Sequence, residues 1–243
     1  MNTSDKKLRR LYIADTTLRD GAQTIGANFT PESKIQVTQK LIKLGIDVIE
    51  LGTPIASPQE LETAKLAAET FKDENVILSV FARAKKIDID HAWEGIGAHP
   101  NGMLALLTSV SDIHLESKFQ KTREEMLAYF CEQIRYAKEV GFKKILVYLE
   151  DGTRTDFEYV QTLVSSFVEA GGDIISIPDT VGFVNDPVAY GRIFSRLRET
   201  LDLPEHVKLS AHTHNDKGLA VANALSAIQN GADQVECTIN GLG

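Results

Sequence analysis

Short runs of β-branched and apolar residues alternate along this chain with longer amphipathic stretches. Such an alternation predicts repeated strand and helix units and a parallel sheet, because consecutive parallel strands are joined by crossover helices. Eight apolar runs are predicted as strands, over residues 11–17, 47–53, 75–81, 103–108, 144–150, 173–178, 207–212 and 234–239. The units share no strong repeated sequence, which argues against a solenoid.

The stretches that follow most of these runs carry signals for the start and end of a helix. Thr30 is a candidate N-cap for a helix over residues 31–44, with proline at the first helical position and Gly45 after the last. Further helices are predicted over residues 58–71, 121–140, 156–170 and 218–229. The unit between residues 81 and 103 follows the pattern least closely.

Eight strands with crossover helices in a chain of this length fit one TIM (β/α)8 barrel, with residues 1–243 as a single catalytic domain. An open, doubly wound sheet is the alternative. The eighth predicted strand is followed only by residues 240–243, so the eighth outer helix and any C-terminal domain are expected to be missing. We therefore interpret the barrel as truncated at its C-terminal end, either within a longer protein or covered there by a partner.

Composition narrows the classes of partner. The chain has 26 Lys and Arg against 34 Asp and Glu, a net charge of -8, which argues against nucleic-acid binding and favours small molecules. The sequence lacks an apolar run long enough to span a membrane, and residues 1–10 lack the apolar stretch of a signal peptide, so a cytoplasmic protein is expected. Cys131 and Cys237 have no paired spacing and are expected to be reduced, buried and inert.

Polar residues cluster where four of the predicted strands end. The four segments are residues 15–23, 150–154, 179–182 and 212–216. Active sites of TIM barrels lie at the carboxyl ends of the strands, so these segments are predicted to form the functional site.

A metal site is the most specific prediction from these segments. His212 and His214 are two residues apart at a strand end, and the period of two in a strand directs both imidazoles to one side. Asp20 could add a carboxylate, and two imidazoles with one carboxylate suit Mg²⁺, Mn²⁺ or Zn²⁺. The alternative is a histidine pair hydrogen-bonded in a polar barrel mouth.

Charged neighbours of these residues allow two interpretations. Arg19 could stabilise an oxygen atom that gains negative charge, or it could form a structural ion pair with Asp20. Glu150, Asp151 and Arg154 allow the same two interpretations. His91, His99, His114 and His206 have no supporting partner pattern in the sequence.

Two segments resemble the signatures of one enzyme family. Residues 18–23 (LRDGAQ), followed by Lys34, resemble the first signature of the 2-isopropylmalate synthase and homocitrate synthase family. Residues 212–216 (HTHND), continuing to Gly218, resemble its metal-binding segment. Two further matching segments are residues 178–182 (PDTVG) and 235–241 (VECTING). The resemblance implies a metal-dependent TIM-barrel acyltransferase.

The chemistry of this family implies roles for the matching residues. A divalent cation held by Asp20, His212 and His214 would chelate a 2-oxo acid and polarise its carbonyl group. The acetyl group of acetyl-CoA would then add as an enolate, and hydrolysis of the thioester would make the reaction effectively irreversible.

The resemblance also implies residues that contact the substrate. Arg19 would stabilise the developing oxyanion and bind the 2-oxo acid together with Gln23. Thr180 would donate a hydrogen bond to the substrate carboxylate, and Glu150 would position the substrate or a proton. Members of the family are usually homodimers, so a homodimer is the default expectation.

Several stretches bear on the identity of the 2-oxo acid. The stretches most similar to 2-isopropylmalate synthases are residues 88–96, 111–114, 121–125 and 234–241, which imply 2-oxoisovalerate and leucine biosynthesis. Residues 27–29 and 53–58 resemble homocitrate synthases at least as well, so homocitrate and citramalate synthesis stay open.

The chain also departs from the family pattern. Ala105 stands where the fourth strand commonly carries histidine, and Ala22 stands where the first signature usually has glutamate. The sequence stops before the positions that supply a further asparagine ligand, a catalytic histidine and a catalytic tyrosine, and before the leucine-sensing domain. Two other functions therefore stay open: an acyl-CoA lyase or aldolase on the same barrel, and an inactive paralogue with a binding role.

Overall fold

Eight parallel strands close into a barrel in the computed structural model, which describes residues 9–243. The strands are β1 (Tyr12–Asp15), β2 (Val48–Glu50), β3 (Ile77–Arg83), β4 (Gly102–Ser109), β5 (Lys144–Glu150), β6 (Ile174–Asp179), β7 (Lys208–Thr213) and β8 (Gln234–Cys237). Each strand pairs with its neighbour in sequence, and β8 pairs with β1, so the sheet has no free edge. The TIM barrel is confirmed and the open sheet is excluded. Most of the polar segment 1–10 lies outside the described residues.

Helices surround the barrel. They are α1 (Pro31–Leu44), α2 (Pro58–Thr70), α3 (Lys86–Ile96), α4 (Asp112–His114), α5 (Arg123–Val140), α6 (Phe157–Ala170), α7 (Pro187–Thr200) and α8 (Ala220–Gln229). The Thr30 side chain caps α1 as predicted, accepting from Ser33 N, and Gly45 ends it with a φ of 86°. The predicted start of α5 at residue 121 is wrong by two positions, because Thr122 and Glu125 form a capping box there.

Strand side chains alternate between the barrel interior and the helix layer. The apolar residues of the interior form a small cluster: Ala14, Val48, Met103, Ala105, Leu146, Tyr148 and Ile174. Buried polar side chains, Ser176, Ser210 and Glu236, lie there as well. The side chains of the opposite strand faces pack against the helices and form the main core. The last inward-facing residues of the strands therefore lie at the mouth of the barrel, which is formed by the carboxyl ends of the strands.

A short repeat at the opposite end of the barrel ties strands together in pairs. The tripeptide Gly-x-Asp ends at Asp47, Asp173 and Asp233, and each of its first glycines has a positive φ. Each aspartate accepts a hydrogen bond from a backbone N–H of the preceding strand, at Ile13, Ile145 and Leu209 respectively. The repeat therefore links β1 to β2, β5 to β6 and β7 to β8, far from the mouth.

A single 3₁₀ turn, Ile239–Gly241, follows β8. Across residues 9–243, every helix is too short or too polar to cross a membrane.

The expectation for the cysteines is half right. Cys131 is buried, whereas Cys237 is exposed. The expectation that Cys237 is buried is wrong because this residue is the last of β8, at the open mouth of the barrel.

Candidate functional site

Asp20, His212 and His214 converge at the mouth of the barrel. The Nε2 atoms of the two histidines lie 3.2 Å apart, and Asp20 Oδ2 lies 3.4 Å from His212 Nε2 and 3.7 Å from His214 Nε2. Asp20 reaches this position because the chain leaves β1 in a tight turn, in which Thr16 O accepts from the N–H groups of Arg19, Asp20 and Gly21. The predicted extension of β1 to residue 17 is therefore wrong, and the turn that ends the strand places the carboxylate.

This donor set fits a divalent cation. Two nitrogen lone pairs that face each other at 3.2 Å repel unless a proton or a cation lies between them. Ligand bonds of about 2.0–2.2 Å set neighbouring ligand atoms roughly 3–3.5 Å apart, which is the spacing found here. The three side chains form a group that could hold a metal ion, with ligand atoms within 4.8 Å of one another.

A buried carboxylate orients one of the histidines. His212 Nδ1 donates to Glu236 Oε2 over 2.9 Å, so its Nε2 is directed towards Asp20 and His214. Glu236 is itself held by the hydroxyl groups of Ser176, Ser210 and Tyr148, at 2.6, 2.7 and 2.8 Å. Such a histidine–carboxylate pair sets the tautomer and ring orientation of a metal ligand.

The electrostatics of the group follow from these contacts. Burial opposes the positive charge on His212, but hydrogen bonds to Asp20 and Glu236 raise its pKa to about 9. Burial opposes the negative charge on Asp20, but His212 and Arg19 hold its pKa well below its usual range. Burial and the neighbouring charge of His212 lower the pKa of His214. The negative charges of Asp20 and Glu236 therefore favour positive charge at this position.

Arg19 lies beside this group in a buried network. Its Nη1 is 2.9 Å from Asp20 Oδ1, its Nε is 2.6 Å from Glu50 Oε2, and its side chain is 9% exposed. The guanidinium carbon lies 4.9 Å from the ring centre of Phe81 and 5.6 Å from that of Tyr148. Despite burial, the charge of Glu50 raises the pKa of Arg19 above its usual range. Arg19 therefore forms the structural ion pair and also presents a fixed cation at the mouth.

Glu150 belongs to a separate cluster at the mouth. It accepts a short hydrogen bond from Ser109, and Lys118 Nζ lies 3.4 Å from its Oε2. His114 Nδ1 is 3.8 Å from the same oxygen, a contact that the sequence pattern did not indicate. Among the described residues, Glu150 makes no hydrogen bond to the predicted metal ligands.

The other predicted site residues either form hydrogen bonds within the mouth of the barrel or are exposed. Asp151 is buried and pairs with Arg154 at 2.6 Å, which favours the structural interpretation of that pair. Thr180 Oγ1 accepts from Asp151 N over 2.8 Å, which ties the ends of β5 and β6 together. Gln23 is exposed in the 3₁₀ turn Gly21–Gln23 and makes no side-chain hydrogen bond to other described residues.

A cavity of about 700 Å³ opens beside the Glu150 cluster. Its walls are mainly apolar, including Leu107, Phe119, Met126 and Tyr129. Four cationic side chains also line it: Arg83, Lys85, Lys118 and Lys121. Glu125 also lines the cavity, where it pairs with Lys121. Four cations against one carboxylate leave the lining positively charged, which suits a long ligand that carries negative charge.

Sequence reasoning missed Glu50, Tyr148 and Glu236 as site residues. All three are buried on strands and take part in the network around Arg19 and His212. Alternation offered a signal, because Glu236 pairs in register with Ala14, whose side chain lies inside the barrel. A charged residue at an inward position of a buried strand is expected only where other side chains form ion pairs or hydrogen bonds with it.

Comparisons with known proteins agree with this geometry. The family model described as HMGL-like matches residues 10–243. A 2-isopropylmalate synthase of Dictyoglomus turgidum is 44% identical over 238 residues, covering 96% of this chain and 46% of the relative. The chain thus spans about half the length of that relative.

Solved structures share the barrel at lower identity. The HMG-CoA lyase of Bacillus subtilis has a TM-score of 0.77 at 22% identity, covering 97% of this chain and 79% of that chain. An HMG-CoA lyase of Acinetobacter baumannii, solved with coenzyme A and 3-methylmalate, has a TM-score of 0.71 at 24% identity, covering 96% and 76%. These similarities show the fold, and the match of the family model over residues 10–243 leads to one conclusion: the chain belongs to the HMGL-like family.

Proposed function

We propose that this chain is the catalytic barrel of a divalent-metal-dependent acyltransferase that condenses acetyl-CoA with a 2-oxo acid. The observation that carries the proposal is the convergence of Asp20, His212 and His214 beside the fixed cation of Arg19. The name of the Dictyoglomus turgidum relative, 2-isopropylmalate synthase, supports this reaction class. We propose 2-oxoisovalerate as the substrate and 2-isopropylmalate as the product, a step of leucine biosynthesis. We further propose a cytoplasmic homodimer.

The metal site and Arg19 act on the 2-oxo acid. Asp20, His212 and His214 would hold Mg²⁺, Mn²⁺ or Zn²⁺, and the bound ion would supply Lewis-acid polarisation of the keto group. Arg19 is already oriented by Glu50 and Asp20, so its guanidinium stabilises negative charge on the keto oxygen without reorganising. Thr180 and Gln23 are proposed to bind the substrate, with Thr180 donating to its carboxylate. Thr180 Oγ1 also accepts a hydrogen bond from the backbone N–H of Asp151.

The side chains around Arg19 favour an apolar 2-oxo acid. Phe81 and Leu107 are inward-facing, partly buried, and packed on the interior cluster next to Tyr148. Ala105 lies one inward position deeper and is 1% exposed. A branched aliphatic group can fill such a surface, whereas the second carboxylate of 2-oxoglutarate would need a cation or hydrogen-bond donors.

The cavity beside Glu150 is proposed to receive the coenzyme A ester. Its apolar walls suit the pantetheine arm, and Arg83, Lys85 and Lys121 suit the phosphate groups. Glu150 contacts Ser109 and Lys118, which line this cavity, and it is proposed to position the proton that leaves the acetyl group. The acetyl methyl carbon loses a proton and forms a bond to the keto carbon, and the keto oxygen takes up a proton to become a hydroxyl group. Water then cleaves the thioester to a carboxylate and free coenzyme A.

Thiol release from acetyl-CoA tests the proposal. The chain is incubated with Mg²⁺ or Mn²⁺ and, separately, pyruvate, 2-oxobutyrate, 2-oxoisovalerate and 2-oxoglutarate. Release that is greatest with 2-oxoisovalerate, and is lost in Asp20→Asn, supports the proposal. Greater release with another acid would reassign the substrate.

The same assay separates the alternatives. Acyl-CoA cleavage without consumption of acetyl-CoA would indicate a lyase. Metal and 2-oxo acid binding without thiol release would indicate a binding role for this chain.

A further inference from the structure

We propose that Lys118 and Ser109 are positioning residues for Glu150: both hold its Oε2 atom, so that Oε1 is presented to the substrate in a fixed direction. This inference rests on the proposed function, because it assigns a task to Glu150 in the acyl-transfer site. Neither Lys118 nor Ser109 stood out in the sequence.

The sheet register brings Ser109 to Glu150. Ser109 of β4 pairs directly with Glu150 of β5, so their side chains point to the same side at the ends of neighbouring strands. The Ser109 hydroxyl donates to Glu150 Oε2. Because Ser109 is buried, this donor is held in place by the barrel itself.

Lys118 approaches the same oxygen from outside the sheet. Its Nζ lies 3.0 Å from Ser109 Oγ and 3.4 Å from Glu150 Oε2. His114 Nδ1 lies 3.8 Å from this oxygen. All of these contacts involve Oε2, and within residues 9–243 the Oε1 atom has no hydrogen-bond partner. Two donors on one carboxylate oxygen fix the rotation of the group and leave the other oxygen for a ligand.

An irregular helix places the lysine. The chain continues from α4 into a π-helical turn, Leu115–Phe119, which ends at Gln120 with a φ of 54°. Asp112, the first residue of α4, accepts two hydrogen bonds of 2.7 Å from the Arg123 side chain of α5. π-helical turns are rare and occur frequently at functional sites. Here the wide turn carries the Lys118 side chain back over the mouth, where it forms one wall of the cavity.

A kinetic comparison tests the role of the two residues. Lys118→Met and Ser109→Ala are expected to lower kcat for thiol release by about tenfold to a hundredfold, since small displacements of a reacting group cost this much. The KM for the 2-oxo acid and the affinity for Mn²⁺ should stay near their original values, because the metal site is separate. Lys118→Arg, which restores a cationic donor, should recover part of the lost kcat.

Matched controls separate positioning from stability. Lys65→Met removes a lysine that is paired with Glu62 and Glu94 on the helix layer. Ser111→Ala removes a buried hydroxyl that has no hydrogen-bond partner among the described residues. Both controls should keep the original kcat. The inference is overturned if Lys118→Met behaves like Lys65→Met, or if Lys118→Arg recovers nothing.

A second measurement needs no turnover. A water-soluble carbodiimide joins an amine and a carboxyl group in contact, with loss of one water molecule, and peptide mass spectrometry locates the bond. We expect a Lys118–Glu150 cross-link in the unaltered chain and its loss in Glu150→Gln. The Lys121–Glu125 pair, at 3.1 Å, is the internal positive control.

The two measurements keep the proposals distinguishable. If the unaltered chain releases no thiol, the proposed condensation fails, and the cross-link alone decides whether Lys118 holds Glu150. Formation of the Lys121–Glu125 cross-link without the Lys118–Glu150 cross-link would overturn the inference.

Discussion

At the scale of single residues, the geometry of the candidate metal site depends on side chains outside the group Asp20, His212 and His214. His212 is oriented by Glu236, which is itself held by three hydroxyl groups inside the barrel. Burial opposes the charge on Glu236, but the contacts with His212, Ser176 and Ser210 lower its pKa, so it stays a carboxylate. Four hydrogen bonds offset the cost of desolvating the Glu236 carboxylate, and as a result the His212 ring is rigidly oriented.

Glu236→Gln is expected to weaken the binding of Mn²⁺ or Zn²⁺ by about tenfold to a hundredfold, because an amide orients and polarises the imidazole less than a carboxylate does. Isothermal titration calorimetry on chelator-treated protein measures this affinity. Glu50→Gln is the matched control, since it removes an equally buried carboxylate that pairs with Arg19 instead of a histidine. Equal losses in the two variants would mean that charge, not the His212 contact, matters.

Exposure and reactivity are expected to differ at Cys237. This residue is exposed, yet partial burial of the thiol and the nearby charges of Asp15 and Glu236 raise its pKa to about 11. Only the thiolate reacts with iodoacetamide, so the labelling rate should rise about tenfold per pH unit between pH 7 and 9.5. Peptide mass spectrometry follows the reaction, with free cysteine as the control. A plateau near pH 8.5 would contradict the assignment.

At the scale of elements, the two ends of the barrel have different tasks. Turns at the mouth carry Asp20, Thr180 and Lys118, whereas the opposite end carries the Gly-x-Asp repeat. Each repeated aspartate satisfies a backbone N–H of the preceding strand and also pairs with a cation, as Asp173 does with Lys138. These hydrogen bonds satisfy backbone groups at the strand starts and hold neighbouring strands together, so this end of the barrel contributes to stability.

Asp173→Ala should therefore lower the free energy of unfolding by about 1–3 kcal/mol, because Ile145 N–H loses its acceptor in a partly buried position. Urea denaturation followed by circular dichroism measures the change. Asp73→Ala, at an exposed turn after α2, is the control and should change stability by no more than about 0.5 kcal/mol. A loss of metal affinity in Asp173→Ala would show that the two ends of the barrel are coupled.

Helix boundaries show how far local signals reach. Thr30 with Pro31 and Ser57 with Pro58 are capping signals that hold in the structure. Asp186 with Pro187 is an equally good signal and caps α7. By contrast, Lys85 makes no capping hydrogen bond at the start of α3, so the unit between residues 81 and 103 offered no comparable start signal.

At the scale of the whole molecule, closure of the barrel creates the site. Asp20 follows β1 and the two histidines belong to β7 and its end, and these strands become near neighbours only because β8 lies between them and pairs with both. Binding of a cation there should stabilise the closed barrel, since the unfolded chain lacks the assembled ligand set.

We therefore expect the melting temperature to rise by about 5–10 °C when free Mn²⁺ is about a hundred times its Kd. Differential scanning calorimetry with and without a chelator measures the shift. His214→Ala should show a much smaller rise, because one ligand is missing. An equal rise in His214→Ala would place the metal elsewhere on the molecule.

The sequence by itself determined the class of fold, and it predicted Asp20, His212 and His214 as candidate metal ligands, which the structure brings together. Hydrophobic periodicity, capping residues and the spacing of His212 and His214 are local properties, and local sterics and hydrogen bonding are enough to express them. The family signatures gave Arg19, Gln23, Glu150 and Thr180 their expected roles in the substrate site.

Only the tertiary structure decided which polar residues meet. The pairing of Glu236 with His212, of Glu50 with Arg19, and of Lys118 with Glu150 joins residues on different strands and loops. Their proximity depends on the register and closure of the sheet, which set positions to within a residue, whereas sequence periodicity gives only the side of a strand. For Glu236 and Glu50 the contact is obligatory, because a carboxylate buried in the barrel is stable only with its partners in place.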